Sequence, residues 1–202
     1  MRRSEFKTEN QEEINSFLES MSFGFLATHS SDEYPNILPI NFVWSKNVIY
    51  FHGARTGSKI TELRKNSRVT FTVADEFSVI PSYFTDPKFA CPATSFFKSV
   101  IIYGQLEFVE ELEEKVFALT EFMKKLQPEG GYSPFDLEDA EYKKQIKGVN
   151  ILKLIPEKIS AKFKFGQNRD LDTWGKTIKG LEERNSPRDK EIIENMKKTC
   201  PF

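Results

Sequence analysis

The stretch YFHGARTGSK, at residues 50–59, contains the residue types that bind a phosphate group. An apolar strand is predicted to end at Phe51 and a short helix to begin near Gly57, which places several backbone amides at a helix start. Such amides carry partial positive charge, and Arg55 and Lys59 add two full charges. The glycine spacing is that of neither a Walker motif nor a dinucleotide-binding turn, so an ordinary strand–helix connection stays the alternative.

The two histidines and two cysteines of the chain limit the other chemistry that it can do. His52 lies beside Phe51 at the end of the predicted strand, and a single histidine there is compatible with a structural or a catalytic role. His29, Cys91 and Cys200 lie far apart in the sequence and have no metal-ligand spacing around them. We therefore predict no metal site, no disulfide framework and a reducing cytoplasmic location, and we do not favour a hydrolase triad.

Basic residues concentrate towards the C-terminus. From Lys143 to Lys198 there are 15 basic and 8 acidic residues, whereas the whole chain has a net charge of -1. This region either faces the acidic remainder in a monomer or dimer, or it binds an anionic partner such as nucleic acid or phosphate. Within it, KFKFGQNR at residues 162–169 alternates cations with aromatics, which is typical of an amphipathic strand and of nucleic-acid binding. A nucleic-acid partner is the less favoured interpretation and stays open.

Hydrophobic periodicity predicts the elements that position these residues. The expected strands cover residues 23–28, 36–44, 48–51, 68–74, 96–109, 149–155 and 158–165. The expected helices cover residues 9–20, a short segment after Gly57, residues 110–127 and 137–147, and two segments after Leu171. The first three strands are predicted to form a meander with Pro39 at an edge or bulge, and residues 75–95 to form a long functional loop.

This order of elements favours an antiparallel barrel or sandwich over a doubly wound sheet, because strands and helices do not alternate regularly. Gly104, in the middle of a long strand, predicts a bend or bulge where a closing sheet turns a corner. No apolar run approaches the roughly 18 residues that a membrane span requires, so we predict no membrane segment.

Three parts of the sequence together resemble the FMN-binding split β-barrel proteins related to pyridoxamine 5'-phosphate oxidase, and among them the nitroimidazole-resistance-like branch. They are residues 39–43 with 50–54 and 57–59, residues 99–104, and residues 162–169. The last part is similar to a segment of relatives that include a group described as transcriptional regulators. The resemblance covers roughly residues 5–185. It implies a mainly β fold, a split antiparallel β-barrel of about six to seven strands at residues 1–165, with a helical C-terminal extension at 166–202 packed on the barrel or on a dimer partner.

The resemblance also implies a homodimer with FMN at each subunit interface. The backbone of residues 41–43 would line the flavin ring, residues 51–54 would pack along it, and His52 would donate a proton to the reduced substrate. The implied cofactor-binding residues are Asn41, Phe42, Val43, Phe51, His52, Gly53, Ala54, Ser58, Lys59 and Ser99. The related branch usually has Gly-Arg-Lys where this chain has GSK at 57–59. A bidentate phosphate partner is therefore missing unless Arg55 or a basic residue of the other subunit replaces it.

We therefore expect a cytoplasmic, homodimeric, FMN-dependent oxidoreductase that uses NAD(P)H to reduce a small acceptor such as a nitro compound. In such a protein the flavin carries the chemistry, and the chain positions and tunes it. One alternative is a transcriptional regulator, with or without flavin, that uses the basic C-terminal region. Another is a haem-binding protein with His29 or His52 as the axial ligand.

Overall fold

The computed structural model describes residues 3–29, 34–53, 58–200 and 202. The strands are β1 (Lys7–Thr8), β2 (Phe23–Thr28), β3 (Asn36–Asn41), β4 (Val43–Ser45), β5 (Val48–Gly53), β6 (Arg68–Ile80), β7 (Thr94–Val109) and β8 (Asn150–Lys164). The helices are α1 (Gln11–Ser20), α2 (Ser58–Lys65), α3 (Leu112–Leu126), α4 (Ala140–Gly148), α5 (Leu171–Arg184) and α6 (Asp189–Lys198). Among the described residues, none of these helices has the length and apolar character that crossing a bilayer would require.

The strands form one sheet in the order β3-β2-β6-β7-β8-β5-β4, with β1 paired to β8. The pairings of β2 with β3 and β6, and of β5 with β4 and β8, are antiparallel. Consecutive strands β3 and β4 lie at opposite ends of this order and are joined through Phe42 alone, so the sheet curls back on itself. This arrangement confirms the predicted split antiparallel barrel with added helices.

The predicted meander of the first three strands is wrong, because the second of them is divided at Phe42. Its first part, β3, pairs with β2 and brings Asn41 opposite Phe23. Its second part, β4, pairs with β5 and brings Val43 opposite Tyr50. Pro39 lies on β3, at the end of the strand order, which confirms its predicted edge position.

Contacts divide the chain into two compact units. The first unit comprises Met1–Asn10, Ala74–Val100 and Ser160–Phe202, and the second comprises Gln11–Val73 and Ile101–Ile159. The predicted division at residue 165 stays a prediction. The second unit has an aromatic centre in which Phe71 meets Phe42 and Phe51 edge-on, at ring-centroid distances of 5.0 and 5.2 Å.

In the first unit, Phe165 packs against Phe77 and Phe96, with ring centroids 5.2 and 6.0 Å apart. Helix α5 begins here because the Asp170 carboxylate accepts a hydrogen bond from the Thr173 amide at 2.8 Å, which caps the helix. It ends at Asn185, which adopts the left-handed conformation with φ 48°.

Two predicted boundaries differ most from the structure. The predicted loop at 75–95 starts later, because β6 continues to Ile80 and buries Phe77 and Ile80. The predicted pair of strands at 149–155 and 158–165 is a single strand, β8, that passes through Pro156. Pro156 falls between the stretch paired with β5 and the stretch paired with β1, so its missing N–H interrupts neither ladder.

Gly104 allows two neighbouring strands to come close together, in addition to any bend at this position. A Cβ atom at Gly104 of β7 would lie 2.0 Å from the Ile155 carbonyl oxygen of β8. Only a glycine therefore allows the two strands to approach this closely.

Candidate functional site

The strand–helix junction lies where the sequence predicts it. β5 ends at Gly53, whose backbone pairs with Asn150 of β8, and α2 begins at Ser58. The connecting residues 54–57, which include the predicted site residue Ala54, lie outside the described residues, as do the side chains of Ser58 and Lys59. What the structure shows of this part of the site is the start of a helix immediately after a strand end.

His52 is exposed near the end of β5, next to the fully buried Phe51. The three residues before it, Ile49–Phe51, are all buried, so its exposure comes from its place near the strand end. The imidazole ring packs edge-on against Phe122 of α3, with centroids 4.8 Å apart and ring planes at 86°. The histidine thus combines an exposed position with a side chain that is supported on one edge, as a proton donor to a bound molecule requires.

Residues 41–43 are predicted to present their backbone to the flavin ring, and the structure shows what surrounds that backbone. Phe42 and Val43 are buried, so only their backbone can face a bound ring. The Phe42 amide donates to the Ser22 carbonyl at 3.0 Å, and the exposed Asn41 side chain donates to the same carbonyl at 3.1 Å. The Phe42 amide therefore already has an acceptor within the protein.

The structure brings most of the predicted residues into one unit. Asn41, the Phe42–Val43 pair and residues 51–53 all belong to the second unit, where Phe42 and Phe51 both pack on Phe71. Ser99 is half-buried on β7 in the first unit.

Lys125 is a residue near this site that the sequence analysis missed. It lies in the last turn of α3, where lysines are ordinary. In the structure its ammonium group donates to the Met21 carbonyl at 2.5 Å and lies 5.0 Å from the centre of the Phe42 ring. Burial lowers the pKa of Lys125, and the nearby Glu19 partly opposes this change. Lys125 reaches this position through tertiary packing, which the spacing of residues in the sequence does not reveal.

A hydrogen-bonded network fixes α3 to the strand that carries His52. The Tyr50 hydroxyl donates to the Glu114 carboxylate at 3.0 Å, and Lys153 of β8 pairs with the same carboxylate at 3.2 Å. Burial, with a further contribution from Glu114, raises the pKa of Tyr50 far above its usual range. Tyr50 therefore stays protonated as a donor, and α3 keeps Phe122 in place beside His52.

An apolar face covers the outer side of β2 and β3. Phe23, Phe25 and Ile37 are 46%, 48% and 62% exposed, respectively. The strand register places Phe25 opposite Pro39 and Phe23 opposite Asn41, so these residues share one surface. Exposed aromatic and aliphatic side chains in adjacent positions are typical of an interaction surface.

His29 lies in a different setting from His52. It lines a cleft of about 510 Å³ in the second unit, together with Tyr34, Arg68 and Tyr103. Thr28, on the same wall, has a buried hydroxyl that lacks a hydrogen-bond partner among the described residues. The cleft is therefore a second concave surface with polar groups, separate from the strand end that carries His52.

Comparison with known families identifies this architecture. A family model described as pyridoxamine 5'-phosphate oxidase matches residues 10–163, about three-quarters of the chain. The chain belongs to this family. The match spans every predicted site residue from Asn41 to Ser99, and it confirms the resemblance to FMN-binding split-barrel proteins. Helices α5 and α6 lie beyond the part that the family model covers.

Solved structures of the same fold include three with clear overall similarity. A protein described as a candidate 5-nitroimidazole antibiotic resistance protein, from Bacteroides thetaiotaomicron, has 20% identity and a TM-score of 0.64, over 77% of this chain and 85% of its own. The flavocytochrome Anf3 from Azotobacter vinelandii has 19% identity and a TM-score of 0.66, over 84% and 75%. An FAD- and haem-binding protein from Mycobacterium smegmatis has 18% identity and a TM-score of 0.63, over 83% and 77%. At these identities the similarity shows a shared fold.

Among curated proteins, none matches the sequence significantly. The assignment to the family therefore stands on the family model and on the fold.

Proposed function

We propose that the protein is a homodimeric FMN-binding oxidoreductase that takes electrons from NAD(P)H and reduces a small acceptor, with nitro compounds as the leading class. The observation that carries the proposal is the exposed His52, supported by Phe122, one residue before the end of β5 and six residues before the start of α2. This arrangement lies inside the segment that the family model matches.

The residues present fit a flavin in three respects. The start of α2 supplies backbone amides that lack helical acceptors and favour a phosphate group. The side chains of Phe42 and Val43 are buried, which leaves the backbone of residues 41–43 to face the ring. Phe51 and Phe42, packed on Phe71, make the layer beneath this surface rigid.

A bound flavin supplies the hydride and electron transfer of the reaction. The chain supplies the remaining functions. His52, exposed near the end of β5, holds a proton and delivers it to the acceptor, while Phe122 limits the rotation of the imidazole. Ser58 and Lys59, at the start of α2, hold the phosphate end.

A second copy of the chain completes the site in this proposal. The exposed apolar face of Phe23, Phe25 and Ile37 lies next to Asn41, which belongs to the proposed ring-binding segment. Covering that face with a partner would remove apolar surface from water beside the flavin. A basic residue of the partner would also take the role of the arginine that the related branch has at the position of Ser58.

Two further facts support the proposal. Several proteins of the same fold are described by names that include flavin binding, among them the flavocytochrome of Azotobacter vinelandii and the FAD- and haem-binding protein of Mycobacterium smegmatis. Cys91 and Cys200 are both free thiols, which supports a reducing location such as the cytoplasm.

The experiment is a cofactor titration of the purified protein, followed by absorbance spectroscopy and thermal unfolding. We expect FMN to bind, to raise the melting temperature and to be reduced when NADPH or NADH is added. A Soret band on addition of haem without any flavin binding would favour the haem-binding alternative. Failure of FMN to bind or to raise the melting temperature at concentrations far above micromolar would reject the proposal.

A further inference from the structure

The first unit contains a cleft of about 430 Å³ with an unusual charge distribution. Arg3, Lys162, Lys164 and Arg169 line it, together with the exposed amide of Asn168 and the hydroxyl of Thr94. Every charged residue that lines it, in the part of the chain that the structure describes, is a cation. We propose that this cleft binds the phosphoryl group of a small metabolite, at a site separate from the flavin.

The cations are held in place by aromatic rings. Lys162 and Lys164 are two residues apart on β8, so they share one face while Phe163 is buried on the other. The Lys162 ammonium lies 5.5 Å from the centre of Phe6 and 5.1 Å from that of Phe97, and Lys164 contacts the same two rings. Both ammonium groups therefore lie within cation–π distance of two rings at the cleft.

Arg169 is positioned by the turn that follows β8. Gly166 has φ +86°, a conformation that favours glycine, and its carbonyl accepts from the Arg169 amide at 2.9 Å. The guanidinium group donates to the Pro92 carbonyl at 3.0 Å, which leaves its other N–H groups able to reach the cleft.

The segment 167–169 is thereby divided into a structural and a ligand-facing part. The Gln167 side chain accepts from the Phe165 amide and donates to the Phe163 carbonyl, both at 2.7 Å. It thus closes the turn, and this explains the structural role of the glutamine. Asn168 and Arg169 line the cleft. The proposed ligand would account for the polar side chains at these two positions.

The cations of the cleft differ from Arg184 and Arg188 of the same unit, which form close ion pairs with carboxylates. Arg184 pairs with Asp189, and Arg188 pairs with Asp75 at 2.7 Å. In the cleft, by contrast, burial lowers the pKa of Lys164, and its neighbours Lys162, Arg169 and Arg3 lower it further. The ion pair from Arg3 to Glu5 is long, at 4.0 Å, and exposed.

The chemistry of the lining favours phosphate over other anions. Guanidinium groups match phosphate oxygens in a bidentate manner, lysines add point charges, and Thr94 and Asn168 add neutral hydrogen-bond donors. Lys164 already donates to the Thr94 hydroxyl, which links the two. The volume fits one small molecule, whereas single-stranded nucleic acid follows an extended basic groove.

A cysteine in the cleft can report whether a ligand is bound. Cys91 is exposed and lines the cleft, and the chain has only one other cysteine, Cys200. In a Cys200→Ser background, alkylation of Cys91 therefore reports occupancy. The ligands to be tested are pyrophosphate and AMP, and sulfate is the comparison anion. Each is added to the full chain with and without FMN, and calorimetry measures binding as a second readout. We expect pyrophosphate and AMP to bind and to slow alkylation, irrespective of FMN. Stronger binding of AMP than of pyrophosphate would identify a phosphate ester with an organic part as the ligand.

Lys164→Met keeps an unbranched, flexible side chain beside Phe6 and Phe97 and removes the charge. It should weaken pyrophosphate binding about tenfold or more, since a charge-assisted hydrogen bond is lost. It should also fold and melt at or above the wild-type temperature in the absence of ligand, because like-charge repulsion is relieved. Lys164→Arg should retain binding, and Lys190→Met, at an exposed lysine of α6, should leave it unchanged.

Three results would overturn the proposal. The first is no protection of Cys91 and no heat of binding with either phosphate probe. The second is equal binding by the Lys164→Met and Lys190→Met variants. The third is a single-stranded oligonucleotide that binds far more tightly than AMP and with a steep salt dependence, which would assign the cleft to nucleic acid. FMN affinity tests the proposed function independently, because none of these residues is assigned to the flavin.

Discussion

The ring of His52 meets the edge of Phe122 at 86°, with the ring centres 4.8 Å apart. The two residues come from β5 and α3 and are 70 positions apart in the sequence. The hydrogen bond between Tyr50 and Glu114 joins the same strand to the same helix. The proposed proton donor is thus oriented by a helix that carries no predicted site residue.

Replacement of His52 tests its role directly. His52→Gln should leave FMN affinity within about twofold and lower the rate of acceptor reduction about a hundredfold or more, since a general acid contributes that much. The measurement is steady-state turnover of the flavin-loaded protein with its flavin content determined. His29→Gln is the matched control and should keep full turnover. Equal turnover by the His52 variant would remove the residue from the mechanism.

Phe122→Leu tests whether the orientation of His52 matters. The substitution should cost about 1–2 kcal/mol of stability, because part of a buried ring is lost. It should reduce turnover several-fold at unchanged FMN affinity and broaden the range of His52 ring orientations, which NMR of the imidazole resolves. A loss of FMN affinity with unaltered turnover per bound flavin would contradict a positioning role.

Ile37→Glu tests the proposed dimer. Ile37 is largely exposed on the apolar face, so a charge there should leave folding intact and prevent association. Light scattering coupled to gel filtration should give a dimer for the wild type and a monomer for the variant. Val79→Glu, at an exposed apolar residue of β6 in the other unit, is the control and should remain dimeric. A monomeric wild type with bound flavin would rule out the shared site.

Asp189→Asn tests how the first unit holds its C-terminal helices. Asp189 is 2% exposed and accepts hydrogen bonds from Arg184 and from the Ser186 amide, at 2.9 and 2.7 Å. Removing one charge of a buried pair should cost about 3 kcal/mol in urea unfolding. Asp172→Asn, in an exposed pair with Lys176, should change stability by less than about 1 kcal/mol.

The Asp189–Arg184 pair also predicts how the stability of the fold changes with pH. Hydrogen bonding to Arg184 lowers the pKa of Asp189 below its usual value of 3.8. Its contribution is therefore fully present above about pH 4 and is lost as the pH falls through the lowered pKa. The stability difference between wild type and Asp189→Asn should shrink in that acidic range and stay constant from pH 6 to 8.

The pattern of hydrophobic residues predicts most of the fold. Phe23–Thr28 is predicted as a strand with the bounds that the structure has, because Ser22 precedes a mainly apolar run and polar residues follow it. The break at Phe42 is not predictable in this way, since residues 36–44 are mostly apolar on both sides of it and local patterns do not reveal where a strand changes partner. The continuity of β8 through Pro156 is likewise decided by which neighbours pair with it.

The candidate site is only partly visible in the sequence. The strand end at His52 and the helix start at Ser58 follow from local signals, and the roles given to them follow from family resemblance. Lys125 and Phe122 carry no such signal, because both look like ordinary residues of an amphipathic helix and reach the site only through tertiary packing. The cations of KFKFGQNR are visible in the sequence, whereas their convergence with Arg3 on one cleft is visible only in the structure.

The FMN affinity of Lys59→Ala, compared with wild type and with Lys65→Ala in the last turn of the same helix, tests the central claim most directly. Flavin fluorescence quenching gives each dissociation constant. We expect FMN to bind to wild type and Lys65→Ala alike, and about tenfold or more weakly to Lys59→Ala, because a charge-assisted bond to the phosphate is lost. Equal affinity for all three proteins, or no binding by any of them, would contradict a flavin phosphate at the start of α2.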